Sequence, residues 1–141
     1  MDQKCHPYGG VLVILTALSL LAGCGPSSQP ATESVEERAQ ARWDYMVARD
    51  FQSAYEYYSP GYRETVSLAN FSVDMANRPV VWVSAEVAEA ECESQDRCNL
   101  VAEVTYRVPG GPTGINEMRM TRKIEELWLR LEGEWWLSPE Y

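Results

Sequence analysis

Apolar positions change their spacing twice along this chain, and each regime predicts a different kind of element. The first is a continuous apolar run, Val11 to Leu21, preceded by Lys4 and closed by the small residues Ala22 and Gly23. A membrane-spanning helix needs about 20 apolar residues, so this run is too short. A positive start, a short apolar run and a small-residue close are the three parts of an export signal. The next stretch, Gly25-Pro26-Ser27-Ser28-Gln29-Pro30-Ala31-Thr32, has no apolar period and reads as a flexible tether. The expected organisation is therefore a signal at 1–23, a tether at 24–34 and a folded domain at 35–141.

Ser34-Val35-Glu36-Glu37 has the spacing of a capping box, which satisfies free backbone donors at a helix start. Val35, Ala39, Trp43, Met46 and Val47 follow at helical spacing, predicting a helix to about Arg49. Asp50 reads as a break and a new cap. Phe51, Ala54, Tyr55 and Tyr58 then form a second short stripe. Ser59-Pro60 resembles a cap followed by proline at the first helical position, with Tyr62 and Val66 beyond it. Ser67 to Val73 adds one more turn, and Asn77-Arg78-Pro79 ends the helical half.

From Val80 the period becomes two. Val80 to Cys92 is rich in β-branched and aromatic residues, and Cys98, Leu100, Ala102, Val104, Tyr106 and Val108 alternate with polar partners, as half-buried strands do. Glu93 to Arg97 reads as a hairpin loop and Pro109 to Gly114 as a longer one. A long strand is expected from about Asn116 to Leu131, then a tight Glu132-Gly133 turn and a closing strand Glu134-Trp135-Trp136-Leu137.

The segment Leu21-Ala22-Gly23-Cys24 resembles the lipobox of bacterial lipoproteins. The resemblance implies a diacylglycerol on the Cys24 thiol and cleavage before Cys24 by a peptidase that works within the membrane. Two or three acyl chains, at about 0.8 kcal/mol per buried methylene, anchor far better than one. Gly25 stands where an aspartate often marks inner-membrane retention, so the expected location faces the periplasm and favours the outer membrane.

Composition narrows the rest. The precursor carries 12 basic and 21 acidic residues, a net charge of -9. Losing Asp2 and Lys4 with the signal leaves that balance unchanged. An acidic domain without a basic cluster argues against nucleic-acid binding and against electrostatic docking on anionic lipid. Cys5 leaves with the signal and Cys24 takes lipid, so Cys92 and Cys98 remain as an even pair in an oxidising compartment. A structural disulfide is expected there, because redox-active pairs usually have two intervening residues rather than five. The only histidine, His6, lies in the signal. Histidine general-base, Ser-His-Asp and histidine metal chemistry are thereby removed from the mature chain, and no cofactor or metal is expected.

Ala48 to Pro60 looks like the helix-to-helix passage of NTF2-like (SnoaL-like, cystatin-like) domains, and Glu132 to Leu137 looks like their terminal Gly-x-Trp hairpin. The resemblance spans about Val35 to Leu137 and implies an α+β cone, with N-terminal helices packed on a curved antiparallel sheet. Such a cone can be core or pocket, and the superfamily includes dehydratases, isomerases and binding modules, so fold does not decide function. Asp44, Asp50 and Asp74 are the aspartates of the helical half, but none falls in a matching motif, so no catalytic residue is assigned.

Trp43, Tyr55, Tyr58, Tyr62, Trp82, Tyr106, Trp128 and Trp136 are candidates to face the cone, as core or as a ligand surface. Glu86, Glu89, Glu91, Glu93, Asp96 and Glu103 read as a solvated face, with Arg119, Arg122, Lys123 and Arg130 placed to pair with them across the sheet. Two functions follow. The first is a membrane-tethered, non-enzymatic binding or assembly module of the envelope, taking a protein partner or a small apolar ligand. The second is a small dehydratase or isomerase using Asp and Tyr in the cone. An open pocket with an ionisable group at its base, against a cone filled by Trp and Leu, separates the cases.

Overall fold

The computed structural model describes residues 33–109 and 117–139. The expected signal and lipobox, the tether as far as Thr32, and the loop beyond Pro109 lie outside the described residues. Everything described belongs to the unit Ala31–Tyr141.

Helix α1, Val35–Ala48, starts at a reciprocal capping box. The Ser34 hydroxyl accepts from the Glu37 N–H at 3.1 Å, and the Glu37 carboxylate accepts from the Ser34 N–H at 2.9 Å. The helix stops where Arg49 turns left-handed at φ 60° and its N–H returns to the carbonyls of Tyr45 and Met46. Asp50 then caps α2, Phe51–Tyr55, accepting from the N–H and hydroxyl of Ser53 at 3.1 and 2.7 Å. These bonds hold the exposed Asp50 carboxyl below the usual aspartate range.

The second helical stripe was expected to reach Tyr58 but ends at Tyr55. Pro60 disfavours helical backbone at the residue before it, and Ser59 is accordingly extended at φ -55°, ψ 149°. The segment from Tyr57 to Ser59 instead lies along the last strand. The Leu137 N–H donates to the Tyr57 carbonyl and the Ser59 N–H to the Leu137 carbonyl, both at 2.8 Å. Helix α3, Pro60–Thr65, follows with Ser59 as its cap. Helix α4, Leu68–Asn77, is longer than the single turn expected. Ser67 caps it, Phe71 and Met75 bury one face a turn apart, and Asp74 pairs with Arg78 at 3.0 Å.

Strands β1 (Val81–Ser94), β2 (Arg97–Pro109), β3 (Glu117–Leu131) and β4 (Glu134–Leu137) form an antiparallel sheet in the order β1-β2-β3-β4. The β3–β4 hairpin turns on Glu132 at φ 52° and Gly133 at φ 88°, the paired positive φ values of the tight two-residue turn. In β1 the register shifts between Trp82 and Ser84, Val87 and Glu89, and Cys92 and Ser94. Such bulges bend a strand and reset which side chains face in. Here they keep Trp82, Ala85, Val87 and Ala90 opposite Tyr106, Val104, Ala102 and Leu100, on the side the helices cover.

Both sheet edges meet partners. The Tyr57–Ser59 segment pairs with β4. On β1, the Gln40 side chain donates to the Ala85 carbonyl and accepts from the Val87 N–H, each at 3.0 Å. An amide side chain thus stands in for a neighbouring strand, which blunts an edge that would otherwise recruit another chain. The buried core joins Ala39, Trp43, Met46, Phe71, Leu100, Val104 and Trp128 across helices and sheet.

The architecture is α+β: four short helices, then a four-stranded meander. The expected NTF2-like cone is corrected. The two motifs that suggested it have local causes found in many folds. Ser59-Pro60 is an ordinary helix start, and Gly133 with Trp135 belongs to a two-residue hairpin.

Candidate functional site

An open cavity of about 670 Å³ lies between the helices and the sheet. Trp43 and Met46 from α1, Met75 from α4, Trp82 from β1, Leu100 from β2, Ile124 from β3 and Leu137 from β4 supply its apolar wall. Arg42, Tyr58 and Glu126 border it as well, and all three are buried. Glu89, Glu91 and Glu125 add carboxylates to its border, and Arg78 a cation.

Helical and strand periodicity bring the buried polar groups together. Arg42 sits three residues after Ala39 and seven after Val35, in phase with the apolar stripe of α1. Glu126 lies between Ile124 and Trp128 at the two-residue spacing of one strand face. Arg42 Nη2 donates to Glu126 Oε1 in a buried ion pair. Trp128 Nε1 donates to Glu126 Oε2 at 3.1 Å, and Arg42 Nη1 reaches the Tyr58 hydroxyl at 3.4 Å. The guanidinium also stacks over Trp43, 4.4 Å from its ring centroid. Burial pushes the Tyr58 hydroxyl above the usual tyrosine value, with Arg42 partly opposing it.

Both carboxylate oxygens of Glu126 therefore have donors already. Two donors do not have acceptors: Arg42 Nε and Trp43 Nε1 are buried without a hydrogen-bond partner among the described residues. Leaving a buried donor unpaired costs about 1–3 kcal/mol, and both nitrogens lie beneath the accessible surface, out of reach of a molecule in the cavity.

The sequence-level candidates distribute unevenly around this site. Trp43, Tyr58 and Trp82 border the cavity, while Tyr55 and Trp128 are core. Tyr62 stacks on Tyr58, with ring centroids 4.7 Å apart. Tyr106 packs partly against the core. Trp136 was a candidate for the interior, but it pairs with Leu129 and lies under the guanidinium groups of Arg38 and Arg63.

The three aspartates are all exposed and none lines the cavity. Asp44 accepts from Gln40 at 2.9 Å, Asp50 caps α2 and Asp74 pairs with Arg78. Glu86, Glu89, Glu91, Glu93, Asp96 and Glu103 are exposed, as a solvated face requires. Lys123 meets Glu89 at 2.8 Å, which raises its pKa through that hydrogen bond. Arg119 instead meets Glu117, and Arg130 lies over Trp135. Cys92 and Cys98 are direct partners in the β1–β2 register and form a disulfide. Cys24 lies outside the described residues. Among the described residues there is no cluster of three or more metal-ligating side chains, and no helix is long and apolar enough to cross a membrane.

Arg42 and Glu126 were not singled out from sequence. Their signal was present: each is a charge at a position whose phase belongs to the apolar face.

No family model matches the chain, and no curated protein matches it. Solved structures do. A SEC-C motif-containing protein from Rhodopseudomonas palustris superposes with a TM-score of 0.60 at 18% identity, covering 77% of each chain. Another, from Psychrobacter arcticus, superposes with a TM-score of 0.56 at 10% identity, covering 75% of this chain and 59% of that one. A candidate dehydratase of the NTF2-like family from Streptomyces avermitilis reaches a TM-score of 0.48 at 12% identity, covering 71% of this chain and 86% of that one. The likenesses above 0.5 are to SEC-C motif-containing proteins, which overturns the NTF2-like assignment. At these identities they show the fold alone: α+β, with a helical half on a four-stranded antiparallel sheet.

Proposed function

We propose that this chain is a lipid-anchored binding module of the bacterial envelope, held to a membrane through Cys24, periplasm-facing and favouring the outer membrane. The observation that carries the binding reading is Glu126, a carboxylate at the cavity with both oxygens already engaged by Arg42 and Trp128. One lone pair on each Glu126 oxygen is taken, by Arg42 Nη2 and by Trp128 Nε1, so the carboxylate is tied to protein groups rather than presented to a bound molecule. Glu126 is committed to holding β3 against α1, and the expected aspartates stand elsewhere. The cavity is built to receive a molecule rather than to take a proton from one. The lipobox-like Leu21-Ala22-Gly23-Cys24 supports the anchor, and the Cys92–Cys98 disulfide is consistent with a compartment outside the cytosol.

Native mass spectrometry of the chain purified from membranes tests both halves. The expected covalent mass begins at Cys24 and includes a diacylglycerol, and Cys24→Ala abolishes membrane fractionation. The expected non-covalent mass is a small molecule released on denaturation and absent from Ile124→Trp, which fills the cavity. A lipid-free chain, with the alanine variant still in membranes, would sink the anchor. An unliganded spectrum that Ile124→Trp leaves unchanged would sink the binding reading.

A further inference from the structure

We infer that the open edge of β3 is an interface for a second copy of this chain, whose β3 runs antiparallel to the first about a two-fold axis at Met120. None of the residues 117–123 lines the cavity. Strand β4 covers β3 only at Trp128–Leu131. Ser138 extends that cover by one bond, its N–H donating to the Leu127 carbonyl at 2.8 Å. From Glu117 to Glu126, β3 pairs with β2 on one side, and among the described residues no segment pairs with it on the other. Gln40 and the Tyr57–Ser59 segment meet the outer strands β1 and β4, and neither pairs with this stretch. Backbone groups alternate sides along an antiparallel strand, and the β2–β3 register runs without a shift from Pro109↔Glu117 to Arg97↔Leu129. The Leu127 carbonyl fixes the phase: Glu117, Arg119, Thr121, Lys123 and Glu125 direct their N–H and C=O groups to the open side. Such a row is a ready template for another strand.

Charge decides the occupant and its register. With the axis at Met120, Glu117 lies opposite Lys123 of the second copy, Met118 opposite Arg122, Arg119 opposite Thr121, and Met120 opposite itself. Opposite charges meet in both halves, and like charges nowhere. Moving the axis to Arg119, Arg122 or Lys123 sets that cation against its own copy. Moving it to Thr121 sets Glu117 against Glu125 and Arg119 against Lys123. Like charges directly opposite are destabilising, so the Met120 register is favoured over its neighbours. The run is thus complementary to itself, which is what a closed two-fold interface requires. Glu117 and Lys123 are exposed in their present pairs with Arg107 and Glu89, so each can take a second partner. Met118 and Met120 are 42% and 37% exposed. At the axis Met120 falls in a non-hydrogen-bonded pair, where facing side chains come closest, and the second copy covers both methionines.

Cysteine cross-linking of the full chain purified from membranes reads the register directly, with the parent as control for its native cysteines. A non-hydrogen-bonded antiparallel pair sets Cα atoms about 4.5 Å apart, within disulfide reach. Met120→Cys should therefore give a covalent dimer under mild oxidation. Arg122→Cys alone should not, because its two copies stand about 13 Å apart along the strands. A mixture of Met118→Cys and Arg122→Cys should give the mixed dimer. Arg119→Pro removes an N–H from the open side and none from the β2–β3 ladder. It should keep the parent's urea midpoint and lose the dimer in native mass spectrometry. Glu117→Lys should weaken the dimer about tenfold, and Glu117→Lys/Lys123→Glu should restore it. A Met120→Cys chain that stays monomeric, or that cross-links only to a different protein, would overturn the interface between copies. So would an Arg119→Pro dimer as tight as the parent's, and self-cross-linking of Arg122→Cys in place of Met120→Cys would overturn the register.

Discussion

Arg42 on α1 and Glu126 on β3 lie 84 positions apart in the chain and meet as a buried ion pair that ties the longest helix to the middle of the sheet. Taking both charges out of water carries a penalty that their attraction roughly repays, but removing one partner strands the other. Arg42→Met should therefore lose about 3–5 kcal/mol, and Glu126→Leu a similar amount. The double variant Arg42→Met/Glu126→Leu should recover most of that loss, with Trp128 Nε1 left as the uncompensated donor. Urea denaturation of the four proteins checks this as a double-mutant cycle. Additive losses in the double variant would mean the two side chains stabilise the fold independently.

Gln40 is a second join between α1 and the sheet, and it acts on backbone. Its amide completes the edge of β1 at Ala85 and Val87. Gln40→Leu keeps the side-chain volume and removes both bonds, so about 1–3 kcal/mol should be lost, the cost of bonds removed from partly buried groups. The more specific readout is hydrogen exchange. The Val87 N–H should lose protection strongly, while amides within the β2–β3 ladder keep theirs. Unchanged exchange at Val87 would show that this edge is protected by something other than the glutamine.

The contrast between Val35 and Arg42 explains how much of the fold and site was legible in the sequence. Val35, Ala39, Trp43 and Met46 announce a helix face because apolar side chains at that spacing share one direction. The caps at Ser34, Asp50 and Ser59 were legible for the same reason, since each satisfies backbone donors a fixed number of residues away. The Cys92–Cys98 pairing followed from a hairpin drawn around a polar loop. By contrast, Arg42 occupies a core phase, but its polarity assigns it to the surface until Glu126 is known to lie opposite. That pairing is a tertiary fact with no local trace. The β1 bulges and the pairing of Tyr57–Ser59 with β4 escaped for the same reason: each depends on a partner strand. Motifs that read as a superfamily signature were local caps and turns, which recur wherever the same short-range physics applies.

Tyr58 gives the fold an alkaline weakness. Burial holds its hydroxyl protonated above the ordinary value of 10.0. In the unfolded chain the same group ionises near that value. Between the two, the unfolded state binds fewer protons, so stability falls as pH rises. The stabilising margin is intact below about pH 10 and erodes above it. Tyr58→Phe removes the titrating group at the expense of the long contact to Arg42. The variant should be slightly less stable than the parent at neutral pH, and the gap should narrow or reverse as pH rises past the ordinary tyrosine value. Paired urea titrations across that range provide the check. Parallel curves would show that Tyr58 ionises as freely in the folded chain as in the unfolded one.

The Cys92–Cys98 bridge should matter for stability and leave the cavity untouched. It joins directly opposed residues at the end of the β1–β2 hairpin, six positions apart, and neither cysteine borders the cavity. Closing so short a loop restrains the unfolded chain by about 2 kcal/mol. Cys98 is fully buried opposite Trp128 while Cys92 is exposed, so a small apolar residue suits the first and a polar one the second. The variant Cys92→Ser/Cys98→Ala should therefore unfold at lower urea by about that amount, with its native spectrum of tryptophan and amide resonances retained around Trp43 and Leu100. The parent should run about two mass units below its reduced form, a difference the double variant does not show. A stability loss accompanied by shifted resonances at Trp43 and Trp82 would instead assign the bridge a part in shaping the cavity, through the bulged course of β1.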